Sequence, residues 1–466
     1  MKKYLVLLSF IALGFTSCQD ARDIDPIDSI SEDQAFENVD DLELGINGMY
    51  ASYNPLNIES ISSRVTDDVK IGADSGGQGV PDINQILDPG SASTNAIWAG
   101  HYGVINIANR IIAAAANITP SSPQEAERYN KVLGQCYAMR AFCHFELTMM
   151  YSTSFSASEL AVPYIDFVVV FEEPARNTVG EVFDRIEGDF AQAATLLSGE
   201  TDNAFITNDL ITAVRAKIAL FTGNYPTAIS LADQLIAKYP LADREQYVAM
   251  FNDTDDREVI WKLIRTQNDG RPGGLYYFTG TGGAFIEMSN SMFDALDPND
   301  IRFEVLLDTD LSNPANNFHL INKYPGVPGF PFLNDIKHYR VAEMHLVKAE
   351  AQARNNQLAA AASSIKVLRD VRFGAATALP SYADLRAAII DILAERRVEL
   401  GYEGHRYIDL RRTRDITGNG IVRDPRDCGG ATPCEMAPND RRFTMPIPQA
   451  EINGNANMVQ NPGYGN

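Results

Sequence analysis

The densest run of reactive side-chain types lies between Glu395 and Arg412. Glu395, Glu399 and Glu403 are four residues apart, with Arg396, Arg397, Arg406 and Asp409 on neighbouring turns. Carboxylates at that spacing share a helix face and could serve acid–base chemistry. The run supplies no nucleophile or metal ligand beside them, whereas opposite charges three and four apart pair along a helix. Arginine forks tie helix ends to loops, so the pattern predicts structural ion pairs. Ala73-Asp74-Ser75-Gly76-Gly77 is similar to a serine-protease nucleophile loop, but no histidine precedes Ser75. Asp415 to Gly420 has oxygen ligands at alternate positions and a sixth-position glycine, like the start of a calcium loop. Its twelfth position is Arg426 where a bidentate glutamate belongs. The six histidines show no metal-ligand spacing and no phosphate-binding loop follows a strand. The expectation is therefore no catalytic residue, no metal and no cofactor.

Aromatic side chains in loops are the remaining chemistry. A sugar ring offers an apolar C–H face and a rim of hydroxyls, so its binder needs flat rings beside amides, carboxylates or guanidinium groups. Tyr276, Tyr277 and Phe278 lie among glycines, with Asn268, Asp269 and Arg271 nearby; Trp98 follows the polar Ser91–Asn95 segment. These four aromatics are the candidate ligand-binding residues, with core packing as the competing reading and the better one for Trp98.

At the N-terminus, Met1-Lys2-Lys3 precedes an apolar run from Tyr4 to Phe15 and the small residues Thr16-Ser17 before Cys18. That run is too short to span a bilayer and reads as a signal peptide over residues 1–17. Cys18 is the expected lipid-attachment residue, acylated on sulfur and nitrogen, which provides the several chains that stable anchoring requires. Asp20, Asp23, Asp25 and Asp28 make residues 18–35 an acidic tether. The 466 residues carry a formal charge of −22; removal of Lys2 and Lys3 with the leader makes it −22 − 2 = −24. Such a chain does not bind nucleic acid through a basic face. Cys136 and Cys143 sit on a helical segment, seven apart and about 10 Å along its axis, too far to bridge. Cys428 and Cys434 flank a Gly-Gly-Ala-Thr-Pro loop and are a possible disulfide.

The elements that must position these groups are mostly helices. Apolar residues recur by threes and fours over 126–151 and 179–197. Residues 208–240 read as two helices joined at Thr222-Gly223-Asn224, small residues on their facing sides, ending at Tyr239-Pro240; 342–372 repeats the arrangement with a turn at Asn355-Asn356. A helix pair of about 34 residues ending at proline is the tetratricopeptide pattern. Residues 57–96 and 265–335 are expected to be loops, the second rich in glycine and aromatics and so an ordered binding face.

Several ordered motifs then coincide. Asp25-Pro26, Ala35-Phe36 and Gly48-Met49-Tyr50 open the chain, followed by Trp98, Tyr102, Ile105, Ala108 and Asn109. Further on come Arg340, Ala342-Glu343-Met344, Glu395-Arg396-Arg397, Glu403-Gly404-His405-Arg406 and Asp409-Leu410-Arg411-Arg412. The chain closes with Pro446-Ile447-Pro448 and Gln460-Asn461-Pro462-Gly463-Tyr464. With these residues the chain resembles the SusD/RagB family of outer-membrane nutrient-binding lipoproteins over nearly its whole mature length. The resemblance implies a mostly α, tetratricopeptide-like scaffold with a large loop-rich ligand-binding face. It implies residues 36–240 as an N-terminal helical region, 241–335 as a loop-rich insertion and 336–466 as the C-terminal region. It also implies a non-enzymatic protein on the exterior of the outer membrane, binding glycan oligomers and serving as a lid on a SusC-like TonB-dependent transporter. One branch of the family is similar but handles peptides, and a tetratricopeptide protein-interaction scaffold is the reading from another class. The chain departs from the pattern in two places. It has two tryptophans only, Trp98 and Trp261, and a longer Ser-rich stretch from Tyr151 to Tyr164 where a short Gly-Val-Pro-Leu segment is expected.

Overall fold

A computed structural model describes residues 35–276 and 283–465. Cys18, Tyr277 and Phe278, together with the leader and nearly all of the tether, lie outside the described residues. The chain enters through α1 (Val39–Ser52), where Asn38 and Asp41 form a reciprocal capping box. It continues through α2 (Leu56–Arg64), the short strand β1 (Val69–Ile71) and α3 (Ala92–Ala115). Residues 57–64 are thus helical where the sequence suggested a loop. The reason is burial on more than one side: Glu59, Ser62 and Ser63 are enclosed along with Ile58 and Ile61, so no apolar stripe stands out. The hydroxyls of Ser63 and Thr66 are satisfied by the carbonyls of Glu59 and Ser62.

Helical pairs then follow in the order the periodicity predicts. Ser122 caps α4 (Pro123–Tyr151), whose proline occupies a position that needs no N–H. Thr178 and Glu181 box the start of α5 (Val179–Leu196). Next, α6 (Asn208–Phe221) and α7 (Tyr225–Lys238) close on each other through buried Ala213, Ala216 and Ala219 on one and Ala228 and Ala232 on the other. Small residues let two helix axes approach closely, and Gly223, at φ +82°, makes the reversal between them. After α8 (Arg244–Phe251), β2 (Val259–Leu263), β3 (Ile286–Met288), α9 (Ile301–Leu306) and β4 (Ile336–Arg340) comes the second clear hairpin. It consists of α10 (Val341–Arg354) and α11 (Leu358–Phe373), turned at Asn356 with φ 60°. The hairpins stack, α7 against α10. Finally α12 (Leu385–Glu399) packs on α10, and α13 (Arg406–Thr417) returns to α2. This is the mostly α, tetratricopeptide-like scaffold expected.

The largest apolar cluster draws mainly on α1 to α7, extends into β2, β4, α10 and α13, and contains both tryptophans. Trp261 is fully buried, its ring 5.8 Å from Tyr53 and 5.1 Å from Phe142. A second cluster, with Tyr276, Met288, Tyr324 and Tyr402, sits under the loop-rich half. The described strands form two-stranded pieces only; in one, β1 and β3 run antiparallel with Lys70 opposite Glu287. Between 241 and 335, helices α8 and α9 and strands β2 and β3 interrupt the loops. No helix among the described residues is long and apolar enough to cross a membrane.

Candidate ligand cleft

The loop-rich half carries a cleft of about 550 Å³, within the range of small-molecule sites. Its floor is the β1–β3 pair. Antiparallel pairing sets Lys70 directly across from Glu287, a favourable cross-strand pair, with Nζ and Oε2 3.6 Å apart. Gly72 follows because the chain passes against the Ala284 carbonyl too closely for any side chain. The Ala73 N–H donates to Glu287 Oε1 at 3.0 Å.

One wall is a tight loop. Asn313 and Phe318 exchange backbone hydrogen bonds around the turn Pro314–Asn316, and Asn317 takes a left-handed φ of 58°, a conformation asparagine tolerates. Lys70 Nζ holds this loop down, donating to the Asn317 carbonyl at 2.5 Å and to its Oδ1 at 2.8 Å. Asn316 and Leu311 remain exposed at the rim. The other wall is Arg426 and Asp427. Asp427 Oδ2 accepts the Asn290 N–H at 2.7 Å and its Oδ1 the Asn290 amide at 2.5 Å. Arg426 is exposed and pairs with Asp424 and Asp294. Cys428 and Cys434 are joined by a disulfide with Cα atoms 5.1 Å apart, closing the loop immediately after Asp427.

Burial lowers the Lys70 ammonium pKa, against the pull of Glu287. Burial raises the carboxyl pKa of both Glu287 and Asp427, opposed by Ala73 and Lys70 in one case and by Asn290 in the other. Both carboxylates are oriented by fixed donors. The cleft therefore presents held amides, carboxylates and one guanidinium beside Phe318 and Leu311, a combination suited to hydroxyl-rich rings.

Of the aromatics singled out from sequence, Trp98 is 3% exposed, its ring 4.9 Å from both Tyr102 and Tyr151. It lies in the wall of a different recess, of about 440 Å³, with Tyr102, Ile165 and Met458. Tyr276 is also 3% exposed, its ring 5.2 Å from Tyr402. Neither offers a free ring face: the apolar clusters gain more from enclosing these large rings than a loop gains from displaying them. The residues that line the cleft instead, Lys70, Glu287, Asn316, Asn317 and Asp427, carry no motif. The Asn316-Asn317 doublet inside a stretch already read as loop was the one local signal.

The Glu395–Arg412 run resolves into ion pairs. Glu399 meets Arg340 and Arg372, each at 2.9 Å. Glu395 meets Arg302 at 2.5 Å, and Glu403 meets Arg340 at 2.8 Å and Lys323 at 2.7 Å. The helix ends at Glu399, so Glu403 reaches its partners from the turn that follows. Burial would raise the Glu399 pKa, but Arg372, Arg340 and Arg302 together hold it far below the usual range. Asp409 takes Arg396 and Arg412, and Arg406 grips Asp67 with two bonds. The terminal Asn461 amide donates to the carbonyls of Tyr151 and Met445. Helix α13 runs through Thr417, so Asp415 and Thr417 are helical and do not open a calcium loop. Among the described residues, no group of three or more His, Cys, Asp or Glu is placed to hold a metal ion.

Comparison with known proteins bears on the whole chain. The model described as "SusD family" matches residues 333–464, and "Starch-binding associating with outer membrane" matches residues 25–222. A SusD-like protein P2 from Formosa agariphila is 24% identical, covering 100% of both chains. A SusD superfamily structure from Bacteroides thetaiotaomicron superposes with a TM-score of 0.79 at 23% identity, over 91% of this chain and 100% of that one. A laminarin-binding SusD-like protein superposes with a TM-score of 0.71 at 20% identity, over 92% of this chain and 100% of that one.

Proposed function

From the premise that this chain belongs to the SusD/RagB family, we propose that it is a surface lipoprotein that binds oligosaccharides and delivers them to a SusC-type TonB-dependent transporter. The observation that carries the glycan part is the loop-face cleft, where Lys70, Glu287, Asn317 and Asp427 are fixed around an open volume. Preorganised polar groups lose little entropy on binding, which suits capture of a dilute, heavily hydrated ligand. The family description of starch binding at the outer membrane and the laminarin-binding relative point the same way. Anchoring rests on Cys18, acylated after removal of residues 1–17, with the acidic tether carrying the body away from the bilayer. A ligand held weakly at the cleft is retained once the lid closes on the transporter, because closure raises its effective concentration.

Calorimetric titration of the mature protein with a panel of neutral oligosaccharides tests the reading. Binding by at least one of them, weakened about tenfold in Glu287→Gln, is expected; binding to peptides and to no sugar would move the function to peptide capture. Co-purification of a TonB-dependent transporter tests the partner. Mass spectrometry of the membrane fraction tests the anchor, an unacylated and freely soluble chain being the adverse result.

A further inference from the structure

Another recess, of about 1030 Å³, shares no lining residue with the loop-face cleft. It lies between the Ser-rich segment 153–157, the α6–α7 turn and α13. Arg215, Arg354, Arg411, Arg412 and Arg414 line it against three carboxylates, in a chain whose formal charge is −22.

Arg411 is set apart from the other enclosed arginines. A guanidinium removed from water needs carboxylates, or enough carbonyls to satisfy its N–H groups. Arg340 has Glu258, Glu399 and Glu403. Arg176 donates to the carbonyls of Ala161, Val459, Tyr151 and Leu160. Arg423 reaches those of Thr66, Ile83, Pro433, Arg64 and Val65. Arg411, 3% exposed, donates to the Ser152 carbonyl at 3.0 Å, while its Nη2 has no partner. Its cation is balanced mainly by a ring: Cζ lies 5.1 Å from the centre of Phe155. Phe155 stacks on Phe221 at 4.8 Å and 16°, and Arg412 Cζ lies 5.3 Å from Phe221. The floor is thus a cation–ring–ring–cation stack. Arg412 is neutralised by Glu350 and Asp409; Arg411 is not neutralised by any carboxylate within ion-pair distance.

We propose that this groove binds an acidic oligosaccharide, with a carboxylate or sulfate ester of the sugar taking the open donor of Arg411. The Phe221 face that Phe155 covers suits the C–H face of a sugar, the hydroxyls of Ser154, Ser156 and Thr222 suit its rim, and the guanidinium suits an oxyanion. Phe155 lies over the guanidinium, so it turns aside as the anion seats. The segment that carries it is the Ser-rich insertion noted in the sequence, which places this groove beyond the function of the loop-face cleft.

Calorimetry at low ionic strength with oligogalacturonate, a sulfated galactan oligomer, neutral dextran and poly-glutamate tests it. One or both acidic glycans should bind, more weakly as salt rises, and the two separate a carboxylate from a sulfate preference. Arg411→Gln should weaken binding about tenfold or more, the usual cost of a lost charged hydrogen bond. Because that change falls in the interior, Ser156→Glu provides an exposed counterpart that sets a like charge at the rim. It should weaken binding similarly, whereas Ser156→Asn retains it. Binding by neither acidic glycan, undiminished binding by Ser156→Glu, or poly-glutamate binding as tightly as the glycans would each overturn the proposal. Neutral-glycan titration of the same variants reports on the loop-face cleft separately.

Discussion

Around α12, Glu399 meets Arg340 and Arg372 with every one of the three side chains fully buried; in the loop-face cleft, Lys70, Glu287 and Asp427 are held just as firmly but beside open volume. Both sets are built from charged side chains. Around α12 each charge is consumed by another, and the cluster pins α9, α11, α12 and the end of β4 together. In the cleft Lys70 and Glu287 also face each other, at 3.6 Å, but the closer partners are amides and backbone groups, each using part of a neighbour's capacity beside the open volume. A cluster of charges therefore marks a site only where its members are oriented without being exhausted.

Removing one partner from the dry cluster is the most severe way to test this contrast. Arg340→Ala leaves Glu258, Glu399 and Glu403 facing one another and should cost about 3–5 kcal/mol, read from urea unfolding. Glu59→Gln tests the same interior from the other sign. Burial, with Glu403 beside it, raises the Glu59 carboxyl from 4.5 to about 8, so the folded state holds its proton where the unfolded chain has lost it. Stability from this group is present at low pH and is lost as pH rises from about 4.5 toward 8. The substitution should flatten that slope by on the order of 3 kcal/mol between pH 5 and 8, measured as wild type minus variant.

Two changes on the cleft side should be milder. Cys428→Ser with Cys434→Ser releases the loop after Asp427 and should cost about 2 kcal/mol of stability. Affinity at the cleft should fall with it, since Asp427 loses its fixed position. Smallest of all, Asn317→Ala should reduce neutral-glycan affinity about tenfold or less with little change in thermal midpoint. If instead it unfolds the protein while Arg340→Ala does not, the contrast between consumed and oriented charge is wrong.

The helical scaffold was readable because its cues are local. Alanines at three- and four-residue spacing, Gly223 and Asn356 at the reversals and Pro240 after α7 act within a few residues of one another. The ion-pair reading of Glu395–Arg412 held for a related reason, as alternating signs leave few other uses; the partners it reached in distant segments were not readable. Among the aromatic candidates, Trp98 and Tyr276 lie in the core, the reading already preferred for Trp98, while Tyr277 and Phe278 lie outside the described residues; a large ring near a loop reads alike in sequence whether it covers a core or a ligand.

The sequence by itself determined the helix pairs, the paired fate of the charged run and the family, since each depends on periodicity or on ordered motifs along the chain. Only the tertiary structure decided the cleft, where Lys70 meets Asn317 across 247 residues of chain, and the solitary state of Arg411. Neither is encoded by neighbours in sequence: what a polar group can still bind depends on which partners folding brings to it and which it withholds.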